Sequence, residues 1–109
     1  MRRPAVRERA GWSRISAPGD KCGALWRHDA TGWRVKHCGH PTANWPYYGL
    51  DPADPEERAT VTHNGHGFRT LEVAFDCIEA VLRGELVATN NNCGPRTRRI
   101  CTVAQLVEE

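Results

Sequence analysis

The 109-residue sequence predicts one small α+β domain, in which an antiparallel meander of three or four strands is covered on one face by a single amphipathic helix. Three observations predict this fold class. The length allows one domain at most, residues 24–38 carry a hairpin pattern, and residues 71–83 carry a helical apolar stripe. We assign residues 1–20 to an irregular basic arm and residues 21–109 to the domain.

Two alternating segments joined by a polar turn predict the hairpin. The segments are G-A-L-W-R-H and W-R-V-K-H-C, and D-A-T-G between them suits a tight connection. Pairing across this turn places four apolar residues on one face, namely Ala24, Trp26, Trp33 and Val35. The other face then carries Leu25, Arg27, Arg34 and Lys36. One apolar face and one largely cationic face are typical of a half-buried antiparallel sheet.

The best-defined pattern predicts a helix from about Leu71 to Arg83, with Thr70 as its N-cap and Gly84 as its C-terminal stop. Its apolar stripe consists of Leu71, Ala74, Phe75, Ile78, Val81 and Leu82. The opposite side is marked by Glu72, Asp76, Glu79 and Arg83. On that side, Glu79 and Arg83 have the spacing of a favourable ion pair. We expect the stripe to cover the apolar face of the sheet.

Proline predicts irregular structure over residues 39–58, which contain Pro41, Pro46, Pro52 and Pro55. A second, short hairpin is predicted over residues 59–68, with its turn at Asn64-Gly65. After the helix, T-N-N-N-C-G-P indicates a loop and R-T-R-R-I-C a short extended piece.

The composition argues against membrane insertion and export. No apolar run approaches the roughly 18 residues that a spanning helix needs. The basic N-terminus is not followed by the hydrophobic region of a secretory signal. Both observations favour a cytoplasmic location, where thiols are reduced. Five cysteines, an odd number, also fit free or metal-bound thiols better than a set of disulfides.

Positive charge is concentrated in the two flanks of the chain. Residues 15–95 hold seven Lys or Arg against ten Asp or Glu, whereas the net charge of the whole chain is +2. The arginines that could contact phosphates are Arg2, Arg3, Arg7, Arg9, Arg96, Arg98 and Arg99. The alternative is that these short basic runs are ordinary solvated segments.

A zinc site is predicted from Cys22, Cys38 and His40. The register of the hairpin places Cys22 opposite Gly39, so these three residues meet at its open end. A tetrahedral site needs one more ligand, for which the candidates are His63, His66, Cys93 and Cys101. Strand alternation argues against the site, because it sends Cys22 and Cys38 to opposite faces unless the chain bends at Gly39. The alternative is a set of packed free thiols.

The aromatic residues Trp45, Tyr47 and Tyr48, which flank Pro46, predict a binding surface. Such rings bring large contact area with few rotatable bonds. Together with Arg34 and Lys36 they suit a protein partner or the stacking of bases. The alternative is that the rings fold back and close a thin core.

No complete catalytic arrangement is present. His37 and Cys38 are neighbours on a strand, so their side chains point to opposite faces and cannot act as a base and nucleophile pair. The segment His63-Asn64-Gly65-His66 before a helix has a faint likeness to a metal-dependent nuclease, but the predicted helix contributes no His. No phosphate-binding glycine motif occurs. A non-enzymatic role is therefore favoured, with a metal-dependent nuclease as a distant alternative.

The segment T-G-W-R-V-K-H-C-G-H-P-T-A-N-W-P-Y-Y, together with G-F-R-T-L-E-V-A-F-D-C-I-E-A-V, resembles small proteins encoded by phages and prophages. Its distinctive core is H-C-G-H-P-T-A-N-W-P-Y. More loosely, K-C-G, the hairpin, C-G-H and the following helix are similar to the layout of restriction-alleviation zinc-ribbon proteins, which have paired cysteines at each knuckle. The resemblance implies an accessory role in a bacterial cytoplasm. We expect a binding module for a host or phage protein, with nucleic acid as the alternative partner.

Overall fold

The computed structural model describes residues 9–15, 24–40, 42–63, 66–90 and 97–104. Within these ranges the elements are β1 (Trp12–Arg14), β2 (Leu25–His28), β3 (Arg34–His37), β4 (Tyr47–Leu50), β5 (Thr60–Thr62), α1 (Leu71–Leu82), β6 (Leu86–Asn90) and β7 (Thr97–Thr102). The predicted α+β class is confirmed. In the same ranges, no helix has the length and apolar character needed to cross a membrane.

All seven of these strands belong to one sheet, in the order β1-β2-β3-β4-β5-β7-β6. The first five form an antiparallel meander, after which α1 carries the chain across the sheet to β6. Strand β7 turns back from β6 and inserts beside β5, to which it runs parallel. The extended piece predicted at R-T-R-R-I-C is thus confirmed, but the predicted three or four strands understate the sheet and miss this crossover.

Two strands lie where the sequence predicts irregular chain. Strand β1 falls inside the predicted arm and pairs Ser13 with Arg27, and β4 begins directly after Pro46. Strand β1 has only three residues, which is too few for a clear alternation. Strand β4 contains Gly49 and lies among prolines, residues that are depleted in strands. Proline is tolerated here because it stands at the entry of the strand rather than inside it.

The second predicted hairpin is wrong in its pairing. Phe68 exchanges backbone hydrogen bonds with Tyr47, at 2.7 Å from Phe68 N to Tyr47 O and 3.3 Å from Tyr47 N to Phe68 O. Strand β5 lies instead between β4 and β7. The predicted turn residues Asn64 and Gly65 lie outside the described residues.

The first hairpin has the predicted register. Trp26 lies opposite Val35, and His37 N donates to Ala24 O at 2.9 Å. Trp26, Val35 and Trp33 are all buried. The face of the sheet that was predicted to be apolar is therefore the one on which the core forms.

Helix α1 covers this apolar face. The hydroxyl of its predicted N-cap, Thr70, accepts from Val73 N at 3.1 Å, and Gly84 follows the helix with a φ of 82°. Ile78 is fully buried against the sheet. A Cβ at Gly49 in β4 would lie 3.0 Å from Ile78 Cδ1, so the glycine allows the helix to approach the strand closely.

Glu79 is placed differently from the prediction of a solvent-facing partner for Arg83. Its carboxylate accepts from Trp12 Nε1 at 2.9 Å and from Arg9 Nη2 at 2.8 Å. Arg83 pairs instead with Glu85, at 2.9 Å. Because the Trp12 ring also lies 4.5 Å from the ring of Phe75, strand β1 is docked on the helix by packing and by charge.

We expect Glu79→Ala to lower the free energy of unfolding by about 1–3 kcal/mol, because it leaves the indole N–H of buried Trp12 without its acceptor. Glu72→Ala, at an exposed position in the first turn of the same helix, should cost less than about 1 kcal/mol. Urea denaturation of both variants measures the difference. Equal costs would contradict the docking of β1 through Glu79.

Candidate functional site

The face of the sheet opposite α1 is defined by the pairing of β1 to β4. One cross-strand row runs Ser13, Arg27, Arg34, Leu50. The next row runs Ile15, Leu25, Lys36, Tyr48. Side chains alternate along a strand, so these eight residues point away from Trp26, Val35 and Gly49, which lie on the helix side. We call them the outer face.

Three cations of the outer face are immediate neighbours. Arg27 lies directly opposite Arg34, and Lys36 is diagonal to Arg27. Cβ atoms are about 4.5–5.5 Å apart in opposed pairs and about 7–8 Å apart across a diagonal. Like charges in opposed positions destabilise a sheet. The arrangement therefore has an electrostatic cost that a bound negative charge would relieve.

Among the described residues, a counter-charge is present for only one of these cations. Arg34 Nη1 donates to Glu57 Oε2 at 2.6 Å. Within the part of the chain that the structure describes, Arg27 and Lys36 have no ion-pair or side-chain hydrogen-bond partner. Arg27 is exposed and Lys36 is half-buried. As far as the described residues go, the outer face thus presents two uncompensated positive charges beside one that is paired.

Tyr48 stands at the border of this cationic group, directly opposite Lys36. Burial raises the pKa of its phenol above the usual value, and the nearby Cys38 and Glu57 raise it further. The hydroxyl is consequently protonated at neutral pH and can donate a hydrogen bond. The ring is half-buried, so part of it remains accessible.

The segment Asp51–Ala59, which we call the acidic loop, follows β4 and borders the outer face through Glu57. It contains four acidic residues against Arg58 alone. Asp54 Oδ2 accepts from Ala59 N at 3.0 Å, and this bond lowers the pKa of the Asp54 carboxyl. Internal hydrogen bonds of this kind hold the loop in shape, so its negative charges form an ordered rim.

The three rings of the predicted aromatic site do not form one surface. Tyr47 packs against the core, with its ring 4.9 Å from that of His37 and 6.1 Å from that of Trp26. Trp45 is 39% exposed and stacks on His66 at 5.4 Å. Tyr48 belongs to the outer face. The alternative of rings that close the core therefore describes Tyr47, whereas Trp45 and Tyr48 remain available on separate parts of the surface.

The loop that carries Trp45 packs closely against the backbone of Gly67. This glycine is buried with a φ of 151°, and a Cβ there would lie 2.5 Å from Trp45 O and 2.9 Å from Tyr47 O. Two backbone segments are thus in contact at a position that only glycine can occupy. This close backbone contact fixes the positions of Trp45 and His66.

Two of the predicted zinc ligands lie side by side. Cys38 and His40 are both exposed, and His40 N donates to Cys38 Sγ at 3.4 Å. Gly39 between them has a φ of 91°, so the bend that the site requires is present. Cys22 lies outside the described residues. Among the residues that are described, no three His, Cys, Asp or Glu side chains come close enough together to hold a metal ion.

Zinc binding by Cys22, Cys38 and His40 stays a prediction with a direct test. The purified protein should then contain about one equivalent of zinc, and a chelator should lower its Tm, because a metal that binds only the folded state stabilises it. Cys38→Ser should lose metal and stability together, whereas Cys77→Ser in α1 should retain the metal. A metal-free protein that is indifferent to chelator would contradict the prediction.

The arginines of the predicted basic flanks are only partly described. Arg9 is engaged with the acids of α1, and Arg98 donates to Asp51 Oδ2 at 2.7 Å and to Ala88 O at 2.9 Å. Both therefore serve tertiary contacts, whereas Arg99 is exposed. The others, Arg2, Arg3, Arg7 and Arg96, lie outside the described residues.

Two residues of the outer-face site, Arg27 and Glu57, were not among the predicted site residues. Arg27 shares the cationic face with Arg34 and Lys36, and the hairpin register alone is sufficient to include it. Glu57 carried no such signal, because its contact with Arg34 joins positions far apart in the sequence.

Comparisons with protein-family models, with curated proteins and with solved structures find no match for this chain. Function is therefore inferred from the chemistry of the outer face and of the loop that carries Trp45.

Proposed function

We propose that this chain is a non-enzymatic binding module and that its outer face binds nucleic acid. The observation that supports this most directly is the group formed by Arg27, Arg34, Lys36 and Tyr48. Two of its three cations lack a partner among the described residues, and the group lies on the face opposite the helix.

A phosphate group supplies the negative charge that Arg27 and Lys36 lack among the described residues. A phosphate placed at Arg27 and Lys36 relieves the repulsion between neighbouring cations and forms charge-assisted hydrogen bonds. Arg, Lys and Tyr side chains are all common contacts of the nucleic-acid backbone. Nucleic acid therefore suits the geometry better than the protein partner that the sequence favours, because Tyr47, one of the rings expected to contact that protein, is packed against the core.

A protein partner remains the second candidate, favoured by the Trp45–His66 pair. Exposed Trp is enriched among the residues that dominate binding energy in protein interfaces. Trp45 is held in place by the close contact of its backbone with Gly67 and by its stacking on His66. The resemblance to phage and prophage proteins supports an accessory role in a bacterial cytoplasm with either partner.

Fluorescence anisotropy with a labelled oligonucleotide tests the nucleic-acid proposal. We expect binding at low salt that weakens as salt rises, with a slope of about −0.7 per contacted phosphate for a single strand, because each contact releases a counterion. Arg27→Ala and Lys36→Ala should each weaken binding and make the slope shallower by about one contact.

The matched control is Arg83→Ala, since Arg83 is an exposed arginine at the end of α1, on an element that packs on the other face. It should leave affinity and slope nearly unchanged. Absence of binding at low salt, or equal losses in the three variants, would contradict a site on the outer face.

A further inference from the structure

The cationic part of the outer face is narrow. Arg27 lies on β2, and Arg34 and Lys36 lie on the adjacent strand β3, so the Cβ atoms of the diagonal pair Arg27 and Lys36 are about 7–8 Å apart. A double helix presents its two backbones on either side of grooves about 12 Å and about 6 Å wide. Arg27 and Lys36 can follow one backbone but do not span the wider of these grooves.

A negative rim lies next to these cations. Glu57 reaches Arg34 at 2.6 Å from the acidic loop, and the side chain of the adjacent Glu56 is 70% exposed, although paired with Arg58. A duplex seated on Arg27 and Lys36 brings its second backbone towards these carboxylates, and like charges repel. A single strand can lie along β2 and β3 and avoid the rim.

The second row of the outer face is suited to unpaired bases. Lys36 stands between Tyr48 on one side and Leu25 on the other, and Ile15, which is 47% exposed, continues the row beyond Leu25. Bases stack on aromatic rings beside cations in proteins that bind single strands. In a duplex the faces of the bases are already stacked on each other and unavailable to such a row.

We infer that the ligand of the outer face is a single-stranded nucleic acid, with a base stacked on Tyr48 and phosphates contacted by Arg27 and Lys36. This inference rests on the proposed function and narrows it. The acidic loop acts as the element that excludes duplex.

The test compares one labelled oligonucleotide, alone and annealed to its complement, by anisotropy titration of the full chain in the same low-salt buffer. We expect the single strand to bind about tenfold more tightly or better, since stacking of even one base accounts for a difference of that size. Tyr48→Ala should remove most of this preference by weakening the single strand alone. Tyr48→Phe keeps the ring and should preserve the preference.

Glu56→Gln provides an independent measurement at an exposed position of the acidic loop. It should strengthen duplex binding and leave the single strand nearly unchanged. Equal or tighter binding of duplex by the unaltered protein would overturn the single-strand inference while leaving the proposed function intact. A preference that survives Tyr48→Ala would overturn the stacking role, and absence of binding to both ligands would overturn the proposed function itself.

Discussion

Ile78→Ala is expected to lower the free energy of unfolding by about 2–5 kcal/mol, through lost burial and the cavity left behind. The side chain of Ile78 is 0% exposed, and its Cδ1 atom lies over Gly49, which has no side chain to fill the space. Neighbouring Val61 is also fully buried in β5 and cannot move far without disturbing two strand pairings. Chemical denaturation measures the loss as a lower midpoint at an unchanged m-value.

Val73→Ala is the matched control for Ile78→Ala. Val73 is a β-branched residue of the same helix but is 39% exposed, so the two substitutions differ mainly in burial. Its truncation should cost less than about 1 kcal/mol. A cost for Val73 equal to that for Ile78 would show that α1 packs through another face.

Gly67→Ala is expected to cost roughly 2–6 kcal/mol, from about 1–3 kcal/mol of backbone strain and the loss of two hydrogen bonds of about 0.5–1.5 kcal/mol each. The new Cβ would lie 2.5 Å from Trp45 O, a backbone atom that no rotamer change can move away. The two segments therefore have to separate, which breaks the bonds between Tyr47 and Phe68. Denaturation gives the cost.

Gly84→Ala is the matched control for Gly67→Ala, because it carries the conformational cost of a left-handed backbone without the steric clash with Trp45 O. Gly84 has a φ of 82°, but no heavy atom of the described residues lies within 4 Å of the place that a Cβ would take, so only the conformational cost of about 1–2 kcal/mol applies. Similar costs for Gly67→Ala and Gly84→Ala would contradict the close packing of the Trp45 loop against Gly67.

The elements that the sequence predicts well are those with local signals. The register of the first hairpin follows from alternation around Trp26 and Val35, and the helix bounds follow from the cap residue Thr70 and the stop at Gly84. Two cations of the outer face could be predicted for the same reason, because Arg34 and Lys36 share a face in any hairpin with that register.

What could not be predicted depends on partners distant in the sequence. Glu79 has the spacing of a helix-surface pair with Arg83, and only the docking of β1 makes it an acceptor for Trp12. Tyr47 looks like an exposed loop residue until its backbone is paired with Phe68. Such contacts leave no periodicity in the chain, so pattern analysis assigns these residues to the surface.

The insertion of β7 between β5 and β6 determines when the fold can be completed. Thr60 is paired with Thr97, so one edge of β5 has no strand beside it until the helix, β6 and β7 have all been synthesised. Pairing between such distant segments is slow, because the loop-closure entropy is lost before the contacts form. During translation the growing sheet therefore exposes open edges, which are the usual sites of association between unfinished chains. Among the described strands β7 is synthesised last, and it is the one that joins the meander to β6.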